Sequence, residues 1–226
     1  MITPKQEKDL LLNGYIELPQ LAFDGSIEEH IRTVGLNHKT YNSNTSFHND
    51  YLEKHSINVA LRDELAELAK SHLGISVDKN DIYSITRIVQ SYDGLESYRG
   101  HFDSHLFTLV TPVSIPRTNA AESGQLILFP KVRKEPRNEL INLVGKLKFK
   151  ILFANKSGFK RLMRVKNYVE LDFANSKPIL FLGRQCFHGN RSFLKAPDSS
   201  RVTLLTHFFD PNTNGVGSVM RKIRKR

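Results

Sequence analysis

From Asp81 to Asp210 the chain is a succession of short runs rich in β-branched and aromatic residues: DIYSITRIVQSY, HLFTLVTPVSI, GQLILF, YVELDF, PILFLG and RVTLLTHFF. Gly, Pro, Asn or Asp bounds these runs, as expected where strands give way to turns. A doubly wound parallel sheet needs a helix between successive strands. Here a single helical stretch, NELINLVGKLKF after Pro136, interrupts the series, and the chain from there to about Val165 reads as irregular. The pattern therefore favours a two-sheet sandwich, mainly β with flanking helices.

The first eighty residues read differently. Thr3 can cap a helix, Pro4 suits its first turn, and Asn13-Gly14 can end it. Ser26 can open a second helix, IEEHIRTVGL. Ser56 or Asn58 can open a third through ALRDELAELAKSHLG, ended by Gly74. In that third helix Leu61, Leu65, Leu68, Ala69 and Leu73 recur at helical spacing, a stripe suited to packing on a sheet. The polar HKTYNSNTSFHNDY between them reads as surface loop. No repeat or low-complexity linker divides the 226 residues, so a single domain is expected. It would comprise helical support over 1–80, a β core over 81–210 with a basic insertion near 131–165, and a basic tail over 211–226.

The formal charge of +10 is concentrated: Lys146 to Lys166 holds eight basic residues and no acidic one, and the chain ends in RKIRKR. Such clusters attract nucleic acid, anionic membrane or acidic small molecules. Phe149, Phe153 and Phe159 interleave the cations and can either stack on bases or anchor a core. A small polar or anionic molecule is the preferred substrate. The single cysteine, Cys186, excludes an intrachain disulfide and a multi-cysteine zinc site, and suits a reducing cytoplasm. It can be a pocket thiol or a small buried hydrophobe. No apolar run approaches the roughly 20 residues of a spanning helix, and MITPKQEKDLLLNGY lacks the apolar stretch of a secretion signal. A cytoplasmic protein is expected.

The chemistry-bearing residues are His101 and Asp103 in RGHFDSH, His188 in CFHGN and Arg201 in SRVTLL. Residues two apart on a strand share a face, so His101 and Asp103 can converge on one ion; His105 continues the same periodicity. His188 is expected at the end of the strand PILFLG, and Arg201 at the start of the next. Two imidazoles and one carboxylate on one face of a metal leave other positions open. A cation beyond them suits an acidic co-substrate.

These residues resemble the Fe(II)- and 2-oxoglutarate-dependent dioxygenase superfamily, particularly its prolyl-hydroxylase-like branch. The likeness runs from about Ile82 to Asp210 through VQSYDGLESYRGHFDSHLFTLVTPVSI, ESGQLILFP and KPILFLGRQCFHGNRS. It implies a double-stranded β-helix, a jelly-roll or cupin-like core, in which His101, Asp103 and His188 bind Fe(II). Arg201 would pair with the distal carboxylate of 2-oxoglutarate, helped by hydroxyls of Thr203 and Tyr92. Arg191 and Lys195 are nearer His188 in sequence but fall in an expected turn. The implied reaction consumes O2 and 2-oxoglutarate, hydroxylates a substrate and releases succinate and CO2. Related halogenases lack the carboxylate ligand, so Asp103 favours hydroxylation. The competing reading is a non-catalytic cupin-like module that uses its basic surface to bind acidic ligands or nucleic acid.

Overall fold

Thr3 caps the first helix, α1 (Pro4–Asn13), as its sequence predicts: its side chain accepts from the Gln6 backbone N–H, and the Gln6 side chain accepts from the Thr3 N–H. Gly14 ends the helix in the left-handed conformation. The computed structural model describes residues 2–19, 41–42, 57–90, 97–115, 124–173, 177–192 and 200–211. The helix expected at IEEHIRTVGL and the candidate Tyr92 lie outside them, as do most of HKTYNSNTSFHNDY and the basic tail.

The remaining elements among the described residues are β1 (Tyr15–Glu17), β2 (Tyr41–Asn42), α2 (Ile57–Leu73), β3 (Ile82–Gln90), β4 (Phe107–Ser114) and β5 (Leu126–Phe129), then α3 (Glu139–Phe153), α4 (Lys156–Val165), β6 (Val169–Leu171), β7 (Ile179–Leu182), β8 (Phe187–Asn190) and β9 (Ser200–Phe208). They build two antiparallel sheets, one in the order β1-β7-β4-β9-β3-β2 and a smaller one in the order β6-β5-β8. All six predicted β runs form strands.

Among the described residues two hydrophobic clusters hold these layers. In the larger, Leu10 of α1 and Leu61, Leu65, Leu68 and Ala69 of α2 join Phe107, Leu109, Leu180, Leu182 and Phe208 from the larger sheet. The stripe predicted for α2 is thus a packing stripe. In the smaller, Phe159 and Leu162 of α4 meet Ile127, Phe129 and Phe187 of the smaller sheet, with Phe149 and Phe153 of α3 packed against them. The interleaved phenylalanines are consumed by this cluster rather than displayed for base stacking.

The basic segment departs from expectation after Phe153. It is not irregular chain but the second helix of a hairpin. Asn155 caps α4 by accepting from the Gly158 N–H at 2.8 Å. Phe159, Leu162 and Met163 then face the core cluster at three- and four-residue spacing. Among the described residues no helix is long and apolar enough to cross a membrane.

Candidate metal centre

His101 and Asp103 do not lie on a regular strand. The stretch from His101 to Leu106 is irregular chain, bent over Ser104 to Leu106, and fastened by backbone bonds to its neighbours. His101 and His188 exchange both N–H···O=C bonds, at 2.9 and 3.0 Å, as an isolated antiparallel bridge. The Asp103 N–H donates to the Gly183 carbonyl at 3.0 Å, and the Gly183 N–H to that of Leu106 at 2.9 Å. Gly183 is small of necessity. A Cβ there would lie 2.7 Å from the His105 carbonyl oxygen, 2.9 Å from Thr108 Oγ1 and 3.0 Å from Asp103 Cβ.

His188 is also placed differently from expectation. PILFLG supplies β7 in the larger sheet, the chain turns, and His188 is the second residue of β8 in the smaller one. The turn carries the chain from one sheet to the other, so the imidazole faces residues of both. Phe181, on β7, packs edge-on against it with ring centroids 4.8 Å apart.

Ligand atoms of His101, Asp103 and His188 all lie within 4.8 Å of one another. The Nε2 atoms of His101 and His188 are 3.6 and 3.7 Å from the two carboxylate oxygens of Asp103. An ion holding imidazole at about 2.1 Å sets neighbouring donors roughly 3 Å apart, so small side-chain movements suffice to close the shell. On the far side of each ring, Nδ1 lies near a backbone carbonyl two residues earlier: Arg99 at 3.2 Å for His101 and Cys186 at 3.3 Å for His188. An Nδ1–H donated there leaves the Nε2 lone pairs facing the shared point, the arrangement that orients metal-binding histidines.

The electrostatics agree with that donor set. Desolvation by the surrounding walls lowers His101 to about 4, assisted by the neighbouring His188 and opposed by Asp103. The His101 ring is nonetheless about half accessible, at 48%, because it opens into a cavity. Burial lowers His188 in the same direction. Burial would raise Asp103, but His188, His207, His101 and the Thr108 hydroxyl together outweigh it and hold the carboxyl well below the usual range. Neutral imidazoles and an ionised carboxylate are the states a metal requires.

Arg201 is the second residue of β9. The register pairs it with Val89, Thr203 with Arg87, and His207 with both Tyr83 and Thr108. Alternation therefore puts Arg201, Thr203, Leu205 and His207 on one face of β9, with Arg87 and Thr108 beside them on the flanking strands. Arg201 is buried and donates to the Gly124 carbonyl at 2.5 Å. The Thr203 hydroxyl is buried with no hydrogen-bond partner among the described residues. Arg191, the nearer cation, is committed to a two-pronged ion pair with Glu170, Nε to Oε1 at 2.5 Å and Nη2 to Oε2 at 2.6 Å.

Ligand candidates and arginines meet in a cavity of about 720 Å³ lined by His101, Asp103, His188, Arg87, Arg201 and His207, among others. Arg87, Thr108 and His207 belong to no sequence motif, although His207 follows Arg201 and Thr203 at the same two-residue period. His105 is outside the triad. It stacks on Tyr83 and His207, with centroids 6.3 and 5.0 Å apart, and lines a smaller cavity of about 240 Å³. Cys186 is a core residue, fully buried, its thiol pushed up to about 12 by desolvation.

No family model matches the chain, and no curated protein sequence matches it. Solved structures do. A prolyl-4-hydroxylase from Pseudomonas putida superposes with a TM-score of 0.53 at 12% identity, over 91% of this chain and 97% of that one. A prolyl 4-hydroxylase from Phytophthora capsici gives 0.54 at 12% identity, over 95% of this chain and 65% of that one. The epimerase SnoN, in complex with Fe3+, alpha ketoglutarate and nogalamycin RO, gives 0.52 at 13% identity, over 91% and 82%. The chain therefore has the jelly-roll fold of the prolyl-hydroxylase-like Fe(II)- and 2-oxoglutarate-dependent oxygenases.

Proposed function

We propose that this protein is an Fe(II)- and 2-oxoglutarate-dependent oxygenase. It hydroxylates an unactivated C–H bond of a small polar or anionic molecule and releases succinate and CO2. The observation that carries this reading is the convergence of His101, Asp103 and His188 on one point of a cavity that also holds Arg201. SnoN, which shares the fold, is a structure with Fe3+ and alpha ketoglutarate bound.

His101, Asp103 and His188 are the residues that would hold iron. The bound iron would supply O2 activation coupled to oxidative decarboxylation of 2-oxoglutarate. Asp103 contributes one negative charge and the two imidazoles contribute none, so a divalent ion held there would keep a net positive charge and would favour a dianionic co-substrate. Arg201 binds the distal carboxylate of 2-oxoglutarate, because a planar guanidinium presents paired donors to a carboxylate. Thr203 adds its hydroxyl on the same strand face, and Arg87 lies directly across the ladder from it. In this reading Tyr92 would supply a further hydroxyl to the same carboxylate.

Succinate formation during incubation with fractionated metabolites tests this reading. The expected result is a compound that stimulates succinate release and gains one oxygen by mass spectrometry. Binding of acidic ligands with no Fe(II)-dependent uptake of 2-oxoglutarate would favour the non-catalytic module instead.

A further inference from the structure

Helix α3 turns its aliphatic side chains outward, although Phe149 and Phe153 pack on the core. Leu140, Leu143, Val144, Leu147 and Ile151 are each more than half exposed, whereas the residue it buries completely is Asn142. The asparagine is fully used. Its Oδ1 accepts from Arg133 Nη2 at 2.7 Å, and its Nδ2 donates to Glu139 at 3.2 Å. Arg133 in turn lies over the Phe102 ring and donates to the Arg184 carbonyl at 2.6 Å, which ties α3 to the chain flanking the metal ligands.

This rotation has a chemical consequence. Residues four apart share a helix face, so Lys146, partly buried, and Lys150, exposed, lie on the side of α3 that Asn142 marks. Both line the large cavity, and Lys146 Nζ donates to the hydroxyl of Ser104, next to Asp103, at 3.0 Å. Among its described lining residues the cavity has five cations, Arg87, Arg99, Lys146, Lys150 and Arg201, against the single carboxylate of Asp103. Arg99, Lys146 and Lys150 line the part of the cavity beyond the two arginines that the oxygenase reading gives to the co-substrate.

We propose that Lys146 and Lys150, with Arg99, recognise a phosphoryl group on a small-molecule substrate. As a substrate site this rests on the oxygenase reading; as an anion site it does not. A phosphate monoester carries close to two charges and three acceptor oxygens, so each of three cations can take an oxygen of its own, whereas a carboxylate offers one charge and two oxygens. Lysines one helical turn apart, about 5–6 Å between Cβ atoms, can close on one such group from two sides. A small molecule fits better than a nucleic acid, because the aromatic rings of the hairpin are committed to the core cluster.

Calorimetric titration of the Mn(II)- and 2-oxoglutarate-loaded protein with inorganic phosphate and glycerol 3-phosphate, at constant ionic strength, tests the site. Saturable binding of both is expected, with none for glycerol. Lys150→Gln and Lys146→Gln should each weaken it by about tenfold. Lys148→Gln, an exposed position outside the cavity lining, should leave it unchanged. The proposal is overturned if no saturable binding occurs, or if Lys148→Gln weakens it as much as Lys150→Gln, the signature of diffuse surface charge. Tighter binding of a dT10 oligonucleotide, insensitive to Lys150→Gln, also overturns it. Phosphate binding in a protein that fails to take up Mn(II) and 2-oxoglutarate would sink the oxygenase reading and leave the anion site standing. The reverse pattern would sink the anion site alone.

Discussion

The Thr108 hydroxyl donates to Asp103 Oδ2 across 2.6 Å. Its single proton is then committed, so at 3.1 Å from His207 Nδ1 the same oxygen accepts, and His207 carries its proton on Nδ1. Thr108 and His207, both buried, thus form a chain that holds the carboxylate of Asp103 beside the two candidate ligand histidines. Thr108→Val removes the bond to Asp103 with little change in volume. Affinity for Mn(II) should fall by about 10- to 100-fold. Thr108→Ser, which keeps the hydroxyl, should recover most of it. Calorimetry on both variants is the check; an unchanged affinity in Thr108→Val would show that Asp103 is positioned without Thr108.

Gly183 approaches the back of the same carboxylate. A methyl group there meets the His105 carbonyl, Thr108 Oγ1 and Asp103 Cβ at 3.0 Å or less. Overpacking of this kind costs about 1–3 kcal/mol. For a chain this size that lowers Tm by roughly 2–4 °C per kcal/mol. Gly183→Ala should therefore melt several degrees below wild type and bind metal more weakly, since the methyl pushes on Asp103, the proposed ligand. Calorimetric melting of the metal-free protein measures the first effect separately.

Arg201→Ala should weaken 2-oxoglutarate binding by at least about tenfold while leaving Mn(II) affinity in place. Arg201→Lys should restore little, because a lone ammonium cannot reproduce the paired donors of the guanidinium. Equilibrium binding of 2-oxoglutarate to the Mn(II)-loaded variants decides it. Unchanged affinity in Arg201→Ala would shift the carboxylate to Arg87.

Acidification should destabilise the metal-free protein. His101 is held down at about 4 and His188 is lowered in the same direction. In the unfolded chain both titrate near their ordinary value of about 6.5. Between those limits the unfolded chain binds more protons, so stability rises with pH across the window and is lost as pH falls through it. Tm should drop as pH is lowered from 7 toward 4.5, and His101→Asn should flatten part of that slope. A Tm that rises on acidification would contradict the depressed values.

Much of this architecture is legible in the residues themselves. Six of the seven described strands from Asp81 onward announce themselves because each is a compact β-branched and aromatic run with turn residues at its ends. Thr3, Pro4 and Gly14 mark α1 by local hydrogen bonding alone. His188 is harder to place. FHGN is too short and too glycine-rich to read as a strand, so the switch between sheets after Leu182 is invisible without the tertiary pairing of β8 with β5. The end of α3 misleads for a similar reason: Asn155 and Gly158 look like loop residues, yet one caps α4 and the other lies in its first turn. Arg87, Thr108 and His207 are brought to the site by strand register, a long-range property. Only His207, two residues beyond Leu205 on the face of Arg201, left a usable trace in the sequence.

The most direct test of the central claim is anaerobic titration of the metal-free protein with Fe(II) and 2-oxoglutarate, followed by visible absorption. A weak visible band should appear only when both are present, and should vanish in His101→Ala and in His188→Ala. Absence of any Fe(II)-dependent 2-oxoglutarate binding in the wild-type protein would contradict the assignment of this cavity to an oxygenase.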